Sequence, residues 1–212
     1  MRDRRGVCPK TLSDDKSENF SQVNECEFFP ERWFAATFLA VSAVLLTIGC
    51  SASFAQQTSK KFELKTTTFR PGGDIPKKCT CDGGDVSPAL SWSDPPPGTK
   101  SFALIMDDPD APSGTFTHWV VYDLAPTTRQ LPEKLAGNDD LRDGAHQGVN
   151  DFPMTGYGGP CPPPGKPHRY FFKLYALDTK LGLKREAHKQ DVEQAMQSHT
   201  LAQAELMGKY KR

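Results

Sequence analysis

The chain has no excess of charge of either sign. Its 212 residues include 26 Lys or Arg and 26 Asp or Glu, so the formal net charge is zero with histidine neutral. Proteins that bind nucleic acids or anionic membrane surfaces through bulk electrostatics carry a clustered basic excess. The balance therefore argues against a nucleic-acid partner. It predicts that any charged ligand is recognised by a few local side chains.

Cysteines are also scarce, and only Cys79, Cys81 and Cys161 follow residue 56. An odd number permits at most one intramolecular disulfide. The Cys-x-Cys spacing does not suit a zinc knuckle, and no second cysteine pair completes one. We favour a bridge between Cys81 and Cys161, which would clamp a proline-rich loop to the turn at residues 82–85.

Sequence motifs that announce catalysis are missing. There is no Gly-x-Ser-x-Gly elbow, no His-Glu-x-x-His and no His-x-Asp pair. Cys161 is flanked by prolines, unlike an activated thiolate at a helix N-terminus. We therefore predict a protein that is not an enzyme and that uses no cofactor and no metal.

One long hydrophobic run is present at residues 33–50, preceded by Arg32. Ser53 and Ala55 suit signal cleavage before Gln56. The run is also long enough for an uncleaved membrane anchor, and a lipoprotein signal through Cys50 is a weaker third reading. We expect an exported protein, periplasmic or secreted. The alternative is a membrane-anchored protein, whose contact with the membrane would be made only by an uncleaved N-terminal segment.

The chain divides at this run. Residues 1–55 comprise a polar segment, either disordered or an upstream mis-assigned start, followed by the signal peptide or membrane anchor. Residues 56–212 are about one domain's worth of chain.

Beyond residue 60, short apolar segments with strand-like alternation are separated by Gly and Pro turns. We predict strands at 60–69, 89–92, 101–108, 115–124 and 168–176, and a helix at 185–197. Residues 198–207 fit either a second helix or a final strand, and 126–153 form a long polar connection. Without repeats or β-α-β alternation, this pattern predicts a mainly β protein, an antiparallel β-sandwich with a few peripheral or C-terminal helices.

Ionisable side chains interrupt the apolar faces of three predicted strands. Alternation places Asp108 on the apolar face of 101–108, His118 beside Val120 and Tyr122, and His168 beside Tyr170. Such groups need partners on an apolar face, so we expect Asp108, His118 and the 168–170 pair to share one pocket.

Anion binding is the chemistry that these side chains favour. Imidazoles and a phenol can donate hydrogen bonds to phosphate or carboxylate oxygens, and Asp108 can fix the orientation of one histidine. Arg169 points to the other face of its strand and is expected to pair with an acid near Asp110. Two histidines and an aspartate could alternatively form a facial metal triad, or serve a hydrolase.

The motifs resemble those of a known family. The sequences DPDAP at 108–112, THWVVY at 117–122 and GPCPPPGKPHRY at 159–170 resemble three signatures of the phosphatidylethanolamine-binding protein family. TCDG at 80–83 and AELMGKY at 204–210 are similar to its prokaryotic Raf kinase inhibitor-like (YbhB/YbcL-type) branch.

This resemblance implies a β-sandwich with a small anion pocket. Carried over by position, the ligand-binding residues are Asp108, His118, His168, Tyr170, Pro109, Pro112, Gly159, Pro163 and Pro164.

Family members bind phospholipid headgroups, modulate kinases or inhibit serine proteases. We therefore expect a non-catalytic exported binding protein for a small phosphate- or headgroup-like anion, with the modulation of a partner enzyme as an additional role. The alternatives are an inhibitor of an extracellular or periplasmic protease or signalling enzyme, and a hydrolase acting through His and Asp.

Overall fold

The computed structural model describes residues 61–135, 137 and 141–212. The predicted signal or anchor at 33–50 and the polar segment before it lie outside these residues. Within the described ranges, no helix is long and apolar enough to cross a membrane.

Two antiparallel sheets form the domain. The elements are β1 (Glu63–Thr66), β2 (Leu90–Ser93), β3 (Ser101–Asp108), β4 (Phe116–Leu124), β5 (Gln130–Leu131), β6 (His146–Gln147), β7 (His168–Leu177), α1 (Lys189–Met196) and β8 (Thr200–Tyr210). One sheet has the order β1-β2-β5 and the other β6-β4-β3-β7-β8. The predicted mainly β, antiparallel class is confirmed, although α1 is the one α-helix in the described part where a few were expected.

Several predicted boundaries differ from the structure, and α1 begins at Lys189 where a helix was predicted from residue 185. β1 ends at Thr66, because the Thr66 hydroxyl accepts a hydrogen bond from the Thr68 N–H at 3.1 Å and turns the chain. The ambiguous C-terminal segment is strand β8, which pairs with β7 from Thr200 to Tyr210. The 126–153 connection is less irregular than predicted, because it contributes β5 and β6 to the two sheets.

The larger core lies between the two sheets. The five-stranded sheet contributes apolar side chains of β3 and β7, and β1, β2 and β5 cover them from the other side. The fully buried members include Phe102, Leu104, Met106, Phe172 and Leu174. These residues are spaced by two along their strands, as alternation predicts.

A smaller core lies on the opposite face of the five-stranded sheet. Ile105, Val120 and Tyr122 are fully buried there, and Val192 and Met196 of α1 pack over them. The short helix is therefore held by its apolar face, as expected for a helix of this length.

A β-bulge in β4 separates His118 from this outer face. Met106 pairs with Trp119, but Asp107 pairs with Thr117, so His118 is an extra residue opposite β3. A bulge breaks the alternation of side chains and re-aims one of them. The prediction that His118 shares a face with Val120 and Tyr122 is therefore wrong.

The buried Asp107 lies on the α1 side of β3 and forms ion pairs with two lysines. Its carboxylate is 1% exposed and accepts from Lys173 Nζ at 3.1 Å and Lys189 Nζ at 2.9 Å. Lys189 begins α1 and Lys173 lies on β7. These ion pairs fasten the start of the helix to the sheet.

Replacing Asp107 with Asn should lower the free energy of unfolding by about 2–3 kcal/mol. Breaking a buried ion pair leaves uncompensated charge, and the cost is reduced here because both lysines retain some exposure. Urea unfolding measures the change. The control Glu63→Gln removes the exposed pair with Lys65 and should cost about 0–0.5 kcal/mol. Equal effects of the two substitutions would contradict the role assigned to Asp107.

Candidate functional site

A cavity of about 270 Å³ opens where β3 ends and β4 and β7 begin. These strand ends meet at one edge of the sheet because neighbouring strands are antiparallel. The lining residues are Asp108, Ala111, Pro112, Ser113, Phe116, His118, Phe152, Cys161, Pro162, Pro163 and His168. The cavity therefore has a polar interior and a mouth of proline and aromatic side chains.

Asp108 and His168 form a buried pair across the β3 and β7 ends. The His168 Nδ1 lies 2.7 Å from Asp108 Oδ2. The other carboxylate oxygen, Oδ1, accepts the backbone N–H of Asp110 at 2.8 Å. A carboxylate at Nδ1 fixes the orientation of the imidazole and leaves Nε2 as the ring nitrogen available to a ligand.

His118 is held through the backbone of the facing loop. Its Nδ1 lies 2.7 Å from the Gly158 carbonyl oxygen, which can only accept, so Nδ1 carries the proton. Burial lowers the pKa of the His118 imidazole, and the Gly158 carbonyl and the Asp108 charge offset part of that shift. In its neutral form His118 presents an unprotonated Nε2. It becomes a donor to an anion only when the ring takes up a second proton.

Tyr170 lies beneath His118 rather than in the cavity wall. The two rings pack edge to face with centroids 5.2 Å apart, and Tyr170 is fully buried. Burial raises the pKa of the phenol well above its ordinary value, and the nearby Asp108 charge adds to the shift. No hydrogen bond of normal geometry reaches the Tyr170 hydroxyl within the described residues. The Tyr170 hydroxyl is therefore uncharged, and its ring lies below the cavity.

Phe152 gives the mouth of the cavity its aromatic character. Its ring centroid lies 4.7 Å from Phe116 and 5.4 Å from His118. The buried Asn150 shapes the loop, because its Oδ1 accepts from the Phe152 N–H at 2.9 Å. A Cβ on Gly158 would lie 2.6 Å from the Phe152 ring, so glycine makes room for this packing.

The proline-rich wall is tied to a distant turn. Cys81 and Cys161 are joined by a disulfide with a Cα–Cα distance of 5.4 Å, the pairing favoured from the sequence. The Gly159 N–H also donates to Asp85 Oδ1 at 2.7 Å. The loop that carries Pro162 and Pro163 is therefore fixed before any ligand binds.

The third cysteine of the domain, Cys79, is a buried free thiol, and burial raises its pKa to about 11.

The structure brings together part of the predicted site. Asp108, His118, His168, Pro112 and Pro163 line the cavity. The predicted residues outside its wall are Tyr170, which lies below it, Gly159, which is buried against Asp85, and the exposed Pro109 and Pro164. These four residues do not line this cavity, and the ligand-binding role of all nine predicted residues stays a prediction.

The nine residues carried over from the resemblance do not include six of the lining residues: Ala111, Ser113, Phe116, Phe152, Pro162 and Cys161, the last of which was predicted only as a disulfide partner. Ala111 and Ser113 belong to the turn that contains the DPDAP motif, so the motif itself was a signal for them. Phe152 stands out in the sequence only as an apolar residue in a polar connection. That signal does not indicate where its side chain lies in the fold.

This arrangement defines a class: a two-sheet β protein with a small, histidine-containing cavity at one sheet edge. The profile of the family described as phosphatidylethanolamine-binding protein matches residues 65–211. The chain belongs to this family, and the resemblance drawn from its motifs is confirmed.

Relatives span bacteria and archaea. A UPF0098 protein of Aquifex aeolicus is 55% identical over 152 residues, covering 71% of this chain and 88% of the relative. A UPF0098 protein of Methanothermobacter thermautotrophicus is 52% identical over 149 residues, covering 70% and 98%. Among solved structures, Escherichia coli YbcL, titled a new member of the mammalian PEBP family, has a TM-score of 0.67 at 37% identity and covers 72% of this chain and 99% of its own.

Removing the disulfide with Cys81→Ser and Cys161→Ser should lower the free energy of unfolding by about 3–4 kcal/mol. The bridge closes a loop with a sequence separation of 80 residues, and long loops gain most from closure. Urea unfolding with and without reductant measures the loss. Reductant should destabilise the native protein and leave the double variant unchanged. An equal midpoint for the oxidised native protein and the variant would contradict a stabilising bridge.

Proposed function

We propose that the protein is a non-catalytic, exported binding protein whose cavity takes a small phosphate or carboxylate group. The observation that carries this proposal is the convergence of two buried histidines on one cavity, each with Nδ1 already hydrogen-bonded. Their Nε2 atoms are then the ring nitrogens that remain for a ligand. Membership of the phosphatidylethanolamine-binding protein family supports an anion as that ligand.

Asp108 makes the binding of an anion depend on protonation. Its carboxylate lines the same cavity and repels a negative ligand. Both of its oxygens are engaged, one by His168 and one by the Asp110 N–H. The repulsion is overcome when a histidine carries positive charge, so proton uptake and anion binding are expected to be coupled.

The apolar mouth favours an anion attached to an organic group. Phe116, Phe152, Pro112 and Pro163 surround the entrance. The volume of about 270 Å³ lies just below the roughly 300–1,000 Å³ of drug-sized sites. A small phosphomonoester or carboxylic acid fits this combination of a polar interior and an apolar rim.

The proposal of a non-catalytic role is supported by the surroundings of Ser113. Ser113 is the one residue with a hydroxyl group among those that line the cavity. Within the described residues, no hydrogen bond joins it to His118 or His168. A serine nucleophile needs such contact with its general base.

Export is supported by the hydrophobic run at 33–50 and by the disulfide. Disulfides persist mainly in oxidising compartments, such as the periplasm and the extracellular space.

Sulfate affinity should rise as the pH falls below the ordinary histidine value of about 6.5, by at most about tenfold per pH unit for each coupled proton. The sign follows from His118: its pKa is lowered in the free protein, and a bound anion would raise it again. Between these two pKa values the complex takes up a proton. Sulfate is the appropriate probe because its own charge is constant in this range. Isothermal titration calorimetry between pH 4.5 and 8 measures the dependence.

The matched variants are His118→Gln with His168→Gln, and His199→Gln as the control. His199 also pairs with a carboxylate, Asp178 at 2.8 Å, but lies at an exposed position outside the cavity. The double variant should lose sulfate binding and the control should retain it. Unchanged binding in the double variant would refute the site assignment.

Protein inhibition is a second candidate, favoured by exposed apolar side chains beside the cavity. Phe152 is 37% exposed and Met154 is 42% exposed, and both lie on the loop that Asn150 organises. Exposed apolar clusters on monomers commonly mark protein contacts. This loop could insert into the substrate groove of an extracellular or periplasmic protease.

If the second candidate is correct, the native protein inhibits at least one member of a panel of trypsin-like and subtilisin-like serine proteases. Phe152→Ser with Met154→Ser should abolish that inhibition, since the apolar contact is lost. Leu201→Ser is the control, because Leu201 is also 42% exposed but lies on β8. Absence of inhibition across the panel, or equal losses in the variant and the control, would contradict this candidate.

A further inference from the structure

A second depression, of about 530 Å³, lies beside the cavity. Its lining residues are Asp110, Lys166, Pro167, His168, Arg169 and Lys209. His168 lines both the cavity and this basic depression. The two sites therefore share one side chain of their linings.

The basic depression carries an unbalanced positive charge. Arg169 of β7 and Lys209 of β8 are directly opposite in the strand register, and like charges at such positions repel. Lys166 and Lys209 form no ion pair with any residue that the structure describes. Three cations and one carboxylate line the depression, which leaves a formal charge of about two positive units.

Asp110 is already committed to Arg169. Its Oδ2 accepts from Arg169 Nε at 2.8 Å and its Oδ1 accepts from Arg169 Nη2 at 2.7 Å. The Arg169 guanidinium lowers the pKa of Asp110 to about 2, so this pair stays ionised at every physiological pH. Bidentate pairing of this kind is geometrically rigid. Asp110 therefore neutralises Arg169 and leaves the charges of the two lysines uncompensated.

The same aspartate links the two sites physically. The Asp110 N–H donates to Asp108 Oδ1 at 2.8 Å, and Asp108 holds His168. The backbone N–H of Arg169 donates to Asp110 Oδ2 at 2.9 Å. These hydrogen bonds cross-link the wall between the cavity and the basic depression, so the two sites keep a fixed spacing.

We propose that the basic depression binds a second anionic group of the ligand whose first anionic group occupies the cavity. The ligand class is a small organic molecule with two phosphate or carboxylate groups at separate positions. This inference rests on the proposed function. Lysines accessible to solvent bind a free anion weakly on their own, but a second anionic group delivered by a short linker arrives at high effective concentration.

Calorimetry with matched ligands tests the inference. The probes are the mono- and bisphosphates of ethane-1,2-diol, butane-1,4-diol and hexane-1,6-diol, which vary the spacing of the two groups. At least one bisphosphate should bind about tenfold more tightly than its monophosphate. This gain should fall with added salt, because the lysines are accessible to solvent.

The test variant is Lys166→Gln with Lys209→Gln, and the charge-matched control is Lys180→Gln with Lys184→Gln, two lysines outside both sites. The test variant should bind bisphosphate and monophosphate about equally, with monophosphate affinity within about threefold of native. The control should keep the full gain.

Two outcomes overturn the inference while the proposed function stands: monophosphates bind but no bisphosphate binds more tightly, or the gain persists in the test variant. Failure of every probe to bind the native protein overturns the proposed function and this inference together.

Discussion

The single extra residue in β4 determines which side chains meet at the cavity. Because His118 has no partner on β3, both His118 and Trp119 face the interior between the sheets. Gly158 then holds the bulge from the other side: its N–H donates to the His118 carbonyl at 2.9 Å and its carbonyl accepts from the His118 ring. Without the bulge, alternation would direct His118 towards α1, and the cavity would contain one histidine.

The loop that faces the bulge is fixed at both of its ends. Thr117 and Asp151 exchange two hydrogen bonds, one through the Asp151 backbone and one through its carboxylate. At the other end, Asp85 and the Cys81–Cys161 disulfide hold residues 159–161. A site constructed in this way is preformed, so little conformational entropy is lost when a small ligand binds. That rigidity suits a small cavity, because a small ligand makes few contacts that could offset an ordering cost.

The strands with regular alternation were predicted correctly from the sequence. Features that depend on pairing with a strand distant in the chain were not. β3 and β7 keep strict alternation, so the faces of Asp108, His168 and Tyr170 follow from spacing alone. The bulge at His118 depends on register with another strand, which no local pattern records. β8 was ambiguous because Ala, Leu, Met, Glu and Gln favour helix, whereas pairing with β7 overrides that propensity. A strand of two residues, such as β5, is too short to show alternation in the sequence and is defined only by its pairing with another strand, here β2.

The buried carboxylate of Asp108 limits which anions the cavity can accept. At neutral pH, His118 has its proton on Nδ1 and offers Nε2 as an acceptor. A phosphomonoester with a second pKa near ~6 can still carry a proton and donate it to that nitrogen, whereas sulfate has none to give. Under the proposed function, a phosphomonoester is therefore expected to bind beside a neutral histidine, whereas sulfate is expected to need a charged one. A preference for a phosphomonoester over sulfate would therefore depend on the ability to exchange a proton, because the net charge of the cavity gives an anion little attraction on its own.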